Sequence, residues 1–254
     1  MNIKILFENK DLLIINKPAG ISVHGDGREK RKTIADWVLD KYPKLKNVGE
    51  PFFTEIKGGK KLEIKRPGIV HRLDKETSGV LLIAKNQKTF LFLKEQFQNH
   101  KIKKVYNAFV YGIVSPPKAS LLSGKRGVIN APIGRSPKDI RMWTAGRGAK
   151  EPLREARTEY SVIKSFKSEN KNFSYLEIHP KTGRTHQIRV HFRYINHPVV
   201  SDPLYRGRED LALGMKRLAL HARSLTFLLP NGELETVEAP YPIDFNKVIT
   251  KYIK

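Results

Sequence analysis

The sequence predicts an α+β fold: a mixed, mostly antiparallel β-sheet with flanking helices. Three observations carry this. Short segments of strand pattern, alternating or continuously apolar, outnumber helical ones. The helical segments are dispersed, so the regular strand–helix alternation of a doubly wound sheet is missing. Asn231-Gly232 separates two of the strand segments, and that dipeptide favours the tight turn joining antiparallel neighbours.

Taken in order, IKILFE (3–8) and DLLIINKP (11–18) predict two strands interrupted at Asn9-Lys10, and Pro18-Ala19-Gly20 is a turn signal. TIADWVLDKY (33–42) predicts a helix. Thr33 can cap it, Asp36 stands three residues on, and Ile34, Trp37, Val38 and Tyr42 share a face, with Pro43 as the stop. Residues 44–68 are basic and aperiodic, which predicts a loop or short hairpin. GVLLIAK (79–85) has strand length, and QKTFLFLKEQFQNH (87–100) spaces Phe90, Leu93 and Phe97 as a helix with Leu91 on the flank. KKVYNAFVYGIV (103–114) is rich in β-branched and aromatic residues and predicts a strand. Proline, glycine and basic residues punctuate 115–154, where short strands and loops are expected.

ARTEYSVIKSF (156–166) and NFSYLEIHP (172–180) alternate as strands around a polar turn from Lys167 to Lys171. THQIRVHFRYIN (185–196) predicts a helix with an apolar stripe of Ile188, Phe192 and Ile195, and with His186, Arg189 and Arg193 along another side. SLTFLLP (224–230) and ELETVEA (233–239) are the strands around Asn231-Gly232, and FNKVITKYI (245–253) closes the chain as a helix.

Charge is the strongest global signal. The 254 residues carry 48 lysines and arginines against 25 acids, a net charge of +23. A field of that sign recruits polyanions, nucleic acid or an anionic membrane surface above all. The charges are spread along the chain, which argues against a disordered basic arm. No run of eighteen apolar residues occurs, so no membrane span is expected. The opening stretch is broken by Glu8, Lys10 and Asp11, so a signal peptide is not expected. Cysteine is absent, which excludes disulfides and thiol chemistry and fits the cytoplasm.

Three places could hold chemistry. Asp74, in HRLDKETSG (71–79), sits among His71, Arg72 and Lys75 ahead of an apolar strand. An aspartate before a Ser-Gly turn is ordinarily a turn cap. Here the basic neighbours favour the ionised carboxylate, and the nearby core would demand a partner for it. An ionised, half-buried aspartate is a reasonable nucleophile. In HPKTGRTHQIRVH (179–191), Lys181, Arg184 and Arg189 could clamp a phosphate or carboxylate. His179, His186, His191 and His197 lack i,i+4 spacing and acidic company, so no metal site is expected. Tyr106 could be a core strand residue or a platform for an extruded base, and spacing does not choose between them. GRGAK (146–150) lacks the strand–helix context of a phosphate loop.

HRLDKETSGVLLIAKN (71–86) resembles, nearly residue for residue, the catalytic-aspartate signature of the RluA-type pseudouridine synthase family. NKPAG (16–20), KKVYNAFVYG, ARTEY (156–160), TGRTHQIRVH (182–191), HPVVSDPLY (197–205) and RLALHARSL (217–225) resemble its other blocks, in the same order. The resemblance implies a single catalytic domain over 1–254 with a central basic cleft, beginning without the small RNA-binding module many relatives carry. It implies a monomer that isomerises specific uridines in ribosomal or transfer RNA to pseudouridine by base flipping, without cofactor or metal. Asp74 matches the nucleophile. Tyr106 matches the tyrosine that packs on the target base, a candidate for moving the proton at carbon 5. Arg189 matches the partner of the catalytic carboxylate. The same resemblance assigns RNA contacts to Arg72, which fills the gap left by the base, and to Lys17, Arg184, His186 and Leu220, the last in an apolar block lining the pocket. Residues 44–66 and 142–154 would be loops framing the cleft. Two rival readings remain: a non-catalytic RNA-binding module, which leaves Asp74, Tyr106 and Arg189 unexplained together, and a nucleoside hydrolase, which would want a second carboxylate.

Overall fold

The computed structural model describes residues 1–25, 31–55, 59, 61–115, 126–207 and 209–254. Their contacts group into two units, Met1–Lys103 with Ser224–Pro240 and Lys104–Arg223 with Tyr241–Lys254.

In the first unit, β1 (Lys4–Glu8) and β2 (Leu12–Lys17) are antiparallel. Asn9 makes the break between them: its side-chain oxygen accepts from the backbone N–H of Asp11 at 2.8 Å and of Leu12 at 2.7 Å. α1 (Ile34–Lys41) starts on the expected capping box, with Thr33 and Asp36 satisfying each other's backbone N–H, and buries Ile34, Ala35, Trp37 and Val38. Tyr42 lies just past the helix, and its hydroxyl donates to Glu8 at 2.9 Å. Pro43 opens a 3-10 turn over Pro43–Asn47, a start that proline's fixed φ permits. The basic stretch beyond it contains a hairpin of β3 (Phe52–Glu55) and β4 (Lys61–Ile64); residues 56–58 and 60 lie outside the described residues.

β5 (Ser78–Ala84) is buried along its whole length and antiparallel to β2, with Leu12 opposite Ala84 and Lys17 opposite Gly79. Burial on both faces explains its unbroken apolar run. One face joins Leu12, Ile14, Phe90 and Leu93 in a core cluster, the last two from α2 (Gln87–Gln98). The Asn86 side chain caps that helix through the Thr89 N–H.

In the second unit, β6 (Lys103–Tyr111) pairs β12 (Lys171–Pro180), β12 pairs β11 (Arg157–Ser168), and β11 pairs β7 (Arg126–Asn130), all antiparallel. β8 (Ile133–Arg135), β9 (Trp143–Ala145) and β10 (Lys150–Arg154) form a small separate sheet, so 126–154 holds short strands as expected, while 116–125 lie outside the described residues. The β11–β12 turn is tighter than the expected Lys167–Lys171. Only Glu169 and Asn170 leave the strands, both with positive φ, at 46° and 61°, as a two-residue hairpin requires.

α3 (Gln187–Tyr194) begins two residues later than expected, because His186 adopts a left-handed conformation at its N-cap. β13 (Leu220–Leu228) and β14 (Leu234–Glu238) form the expected Asn231-Gly232 hairpin, with Leu228 opposite Leu234. α4 (Ile243–Tyr252) packs Phe245 against Phe109, ring centroids 4.8 Å apart, and Phe109 stacks on Tyr175 at 4.9 Å. No described helix is long and apolar enough to cross a membrane.

Candidate active-site residues

In the first unit Asp74 is half-buried on the turn that feeds β5. Its backbone carbonyl accepts from the Thr77 N–H at 3.1 Å, so the turn itself is real. The flanking chain is fixed at several points. Gly68, at φ +63°, donates to the Val48 carbonyl and accepts from Ala84, both at 2.8 Å. A Cβ there would stand 2.0 Å from the Ala84 carbonyl oxygen, so only glycine permits this approach. His71 accepts from the Leu82 N–H through Nε2 at 3.0 Å, and its ring stacks on Phe97 at 4.6 Å. An accepting Nε2 puts the proton of a neutral imidazole on Nδ1. Leu73 is buried while Arg72 is exposed.

Lys17 corrects an expectation. It is fully buried, and its ammonium donates to the carbonyls of Pro18 at 2.8 Å, Ile21 at 2.9 Å and Lys75 at 3.0 Å. It ties the Pro18-Ala19-Gly20 turn to the Asp74 turn, and the Gly20 N–H adds a bond to the same Lys75 carbonyl at 2.9 Å.

In the second unit Tyr106 lies on β6 opposite Ile178, half-buried against the core. Lys104, two residues earlier, shares its face of the strand. The Lys104 ammonium donates to the Thr182 carbonyl at 3.4 Å, and burial pushes it down to about 8.

Arg189 is only 3% exposed, on the first turn of α3. Its fork grips Asp202 through Nε at 2.7 Å and Nη2 at 2.9 Å. Asp202 is fully buried, and its Oδ1 also accepts from the Leu204 N–H at 2.8 Å and the Tyr205 N–H at 3.0 Å. The guanidinium stands 4.9 Å from the Tyr205 ring, whose hydroxyl bonds His186 Nδ1 and the Trp143 N–H, both at 2.9 Å. The side of α3 opposite the apolar stripe is therefore mixed. His186 precedes the helix, Arg189 is buried, and only Arg193 is exposed. Gln187 and His191 are buried too. His191 bonds Thr158 at 2.8 Å and the Ala131 carbonyl at 2.9 Å, and burial lowers its pKa and favours the neutral ring.

The expected clamp of Lys181, Arg184 and Arg189 is not assembled. Lys181 pairs with Glu159 at 3.0 Å, Arg184 donates to the Glu155 carbonyl at 2.9 Å, and Arg189 holds Asp202. Leu220 is buried in the apolar cluster of its unit. His179, His191 and His197 each have separate partners, Glu177, Thr158 with Ala131, and the Tyr111 carbonyl. Sequence reading missed Asp202, the partner that sets the Arg189 geometry. Its only local signal is the turn-like Ser-Asp-Pro, which says nothing of an arginine thirteen residues away.

Comparison with known proteins gives one consistent result. The family model described as RNA pseudouridylate synthase matches residues 11–194. An uncharacterized RNA pseudouridine synthase of Chloroflexus aurantiacus is 39% identical over 92% of this chain and 64% of its own length. A Bacillus subtilis protein described in the same terms is 35% identical over 98% of the chain and 72% of its own. Ribosomal large subunit pseudouridine synthase D of Nitrosomonas europaea is 37% identical over 95% of the chain and 63% of its own. The chain thus spans somewhat under two thirds of the length of some of these relatives. Among solved structures, human RNA pseudouridylate synthase domain containing 1 aligns with a TM-score of 0.69 at 25% identity, over 95% of this chain and 84% of that one.

Proposed function

Because the chain belongs to the RNA pseudouridylate synthase family, we propose that it isomerises uridine to pseudouridine within RNA, with Asp74 as nucleophile. The observation that carries this is the family match over 11–194, which contains the Asp74 signature, Tyr106 and Arg189. In the reaction the bond between uracil nitrogen 1 and the ribose carbon breaks, the base rotates, and carbon 5 bonds to the same ribose carbon. Carbon 5 gives up its proton and nitrogen 1 gains one, so the RNA keeps its composition and mass.

The target must leave its stack, at a cost of a few kcal/mol that favours loops and weakly paired sites. Phosphate contacts from a chain of net charge +23 offset that cost. Asp74 begins the exchange. Tyr106 takes the flat face of the base and is the candidate for moving the carbon 5 proton. Arg189 serves the ionised carboxylate, and the grip of Asp202 sets its orientation. Arg72, exposed two residues before Asp74, enters the space the base vacates. The relatives named for the ribosomal large subunit favour ribosomal RNA as the substrate. We place the enzyme in the cytoplasm with that RNA, as a monomer.

Release of tritium from RNA labelled at uridine carbon 5 tests the proposal. The wild type is expected to release it and Asp74→Asn is not. Free uracil among the products would instead favour the hydrolase reading, and binding without release the non-catalytic one. Arg189→Lys keeps a charge and loses the fork. It is expected to lower single-turnover rates by roughly a hundredfold while RNA affinity changes little. Wild-type turnover with weaker RNA binding would refute the assigned role.

A further inference from the structure

Arg66 is a cation whose surroundings oppose its charge. Its guanidinium lies 3.4 Å from the centre of the Phe52 ring on β3, and its Nε is buried with no hydrogen-bond partner among the described residues. The charge that acts on it is that of a second cation, Arg72, which together with burial lowers its pKa to about 10, burial being the larger cause. Other carboxylates of the same unit are committed elsewhere: Glu8 to Lys85, Glu50 to Lys94 and Asp40 to Lys32. A half-buried guanidinium beside another cation is a place that an arriving anion would stabilise. Yet Arg66 is held firmly. The ring of Phe52 fixes its plane, and Gly68, two residues on, is bonded to Val48 and Ala84. A stacked guanidinium still offers its edges as a fork suited to a phosphate.

We propose that Arg66 is a phosphate-binding residue for the RNA backbone, receiving the phosphodiester next to the position that Arg72 enters. This rests on the reading that RNA is the substrate. The phosphate would neutralise both arginines at once, received on the Nη edge of Arg66, since Nε is buried. The contact is to backbone, so it adds affinity without sequence preference. Phe52 acts as a positioning residue: stacking keeps the fork in place before RNA binds.

The test is RNA binding by fluorescence anisotropy across a salt series, with a uridine-containing stem-loop and a second RNA of unrelated sequence. Arg66→Met is expected to weaken both RNAs equally and to make the log–log salt slope shallower by about one, the signature of one lost phosphate contact. Arg66→Lys is expected to keep the slope, since it keeps the charge. Thermal unfolding of both variants is expected to match the wild type. A wild-type slope in Arg66→Met, or an equal loss of slope in Arg66→Lys, would overturn the inference. Binding is read without turnover, so the two proposals fail separately. A wild type that forms no pseudouridine, while Arg66→Met still loses slope, would sink the isomerase reading and leave Arg66 in place.

Discussion

A buried arginine needs a fixed acceptor, and the Arg189–Asp202 pair shows how much one such contact decides. Both side chains are out of water, and the carboxylate is satisfied by the arginine fork and two backbone N–H groups. Breaking a buried pair leaves an uncompensated charge and costs about 3–5 kcal/mol. Asp202→Asn keeps the shape, and its oxygen can still accept from Leu204 and Tyr205, but its amide nitrogen sets a donor against Arg189 Nε, so the charge and one bond of the fork are lost together. It is expected to lose about 3 kcal/mol in urea unfolding and to slow turnover, because Arg189 loses its orientation. Wild-type stability in that variant would show that the fork matters little. Residue roles that depend on distant partners were the least legible part of the sequence. Asp74 stood out because its oddity is local, a single acid among bases. Lys17 looked like a surface cation for RNA, and three carbonyls from two turns, one of them Lys75, make it a buried tie instead. His71 and Lys75 had no role in the sequence. The first is an anchor on β5 and α2, and the second supplies a carbonyl.

At the scale of elements, local signals translated well where the pattern was strong. The Thr33 capping box, the Asn9 break, the buried run of β5 and the Asn231-Gly232 hairpin all form as read. α3 did not follow its pattern. Its periodicity marks an apolar stripe, and beyond that stripe Gln187, Arg189 and His191 each find a buried partner. Hydrophobic periodicity counts polar residues as outward, so it misreads a helix buried on nearly every side. The β11–β12 turn was read too wide for a related reason: polar strand ends look like a turn until pairing shows them opposite each other. The segment that carries Asp74 depends on one glycine. Gly68→Ala places a Cβ against the Ala84 carbonyl oxygen at a positive φ. That substitution is expected to destabilise by more than about 1 kcal/mol and to lower activity even in the folded fraction, as measured by thermal unfolding alongside turnover. An active, equally stable Gly68→Ala would mean that the stitch to β5 does not position Asp74.

At the scale of the whole chain, composition gave the class of partner and the ordered motifs gave the chemistry. A charge of +23 points to a polyanion, and the family match names RNA chemistry. The two units divide the proposed machinery: Asp74, Arg72 and Arg66 belong to the first, Tyr106, Arg189 and Asp202 to the second. The most direct test of the central claim is nucleoside analysis of uridine-containing RNA after incubation with the wild type and with Asp74→Asn. Pseudouridine is expected in the first digest, with RNA mass unchanged and no free uracil, and none in the second. Pseudouridine formed equally by Asp74→Asn, or uracil released by the wild type, would contradict it.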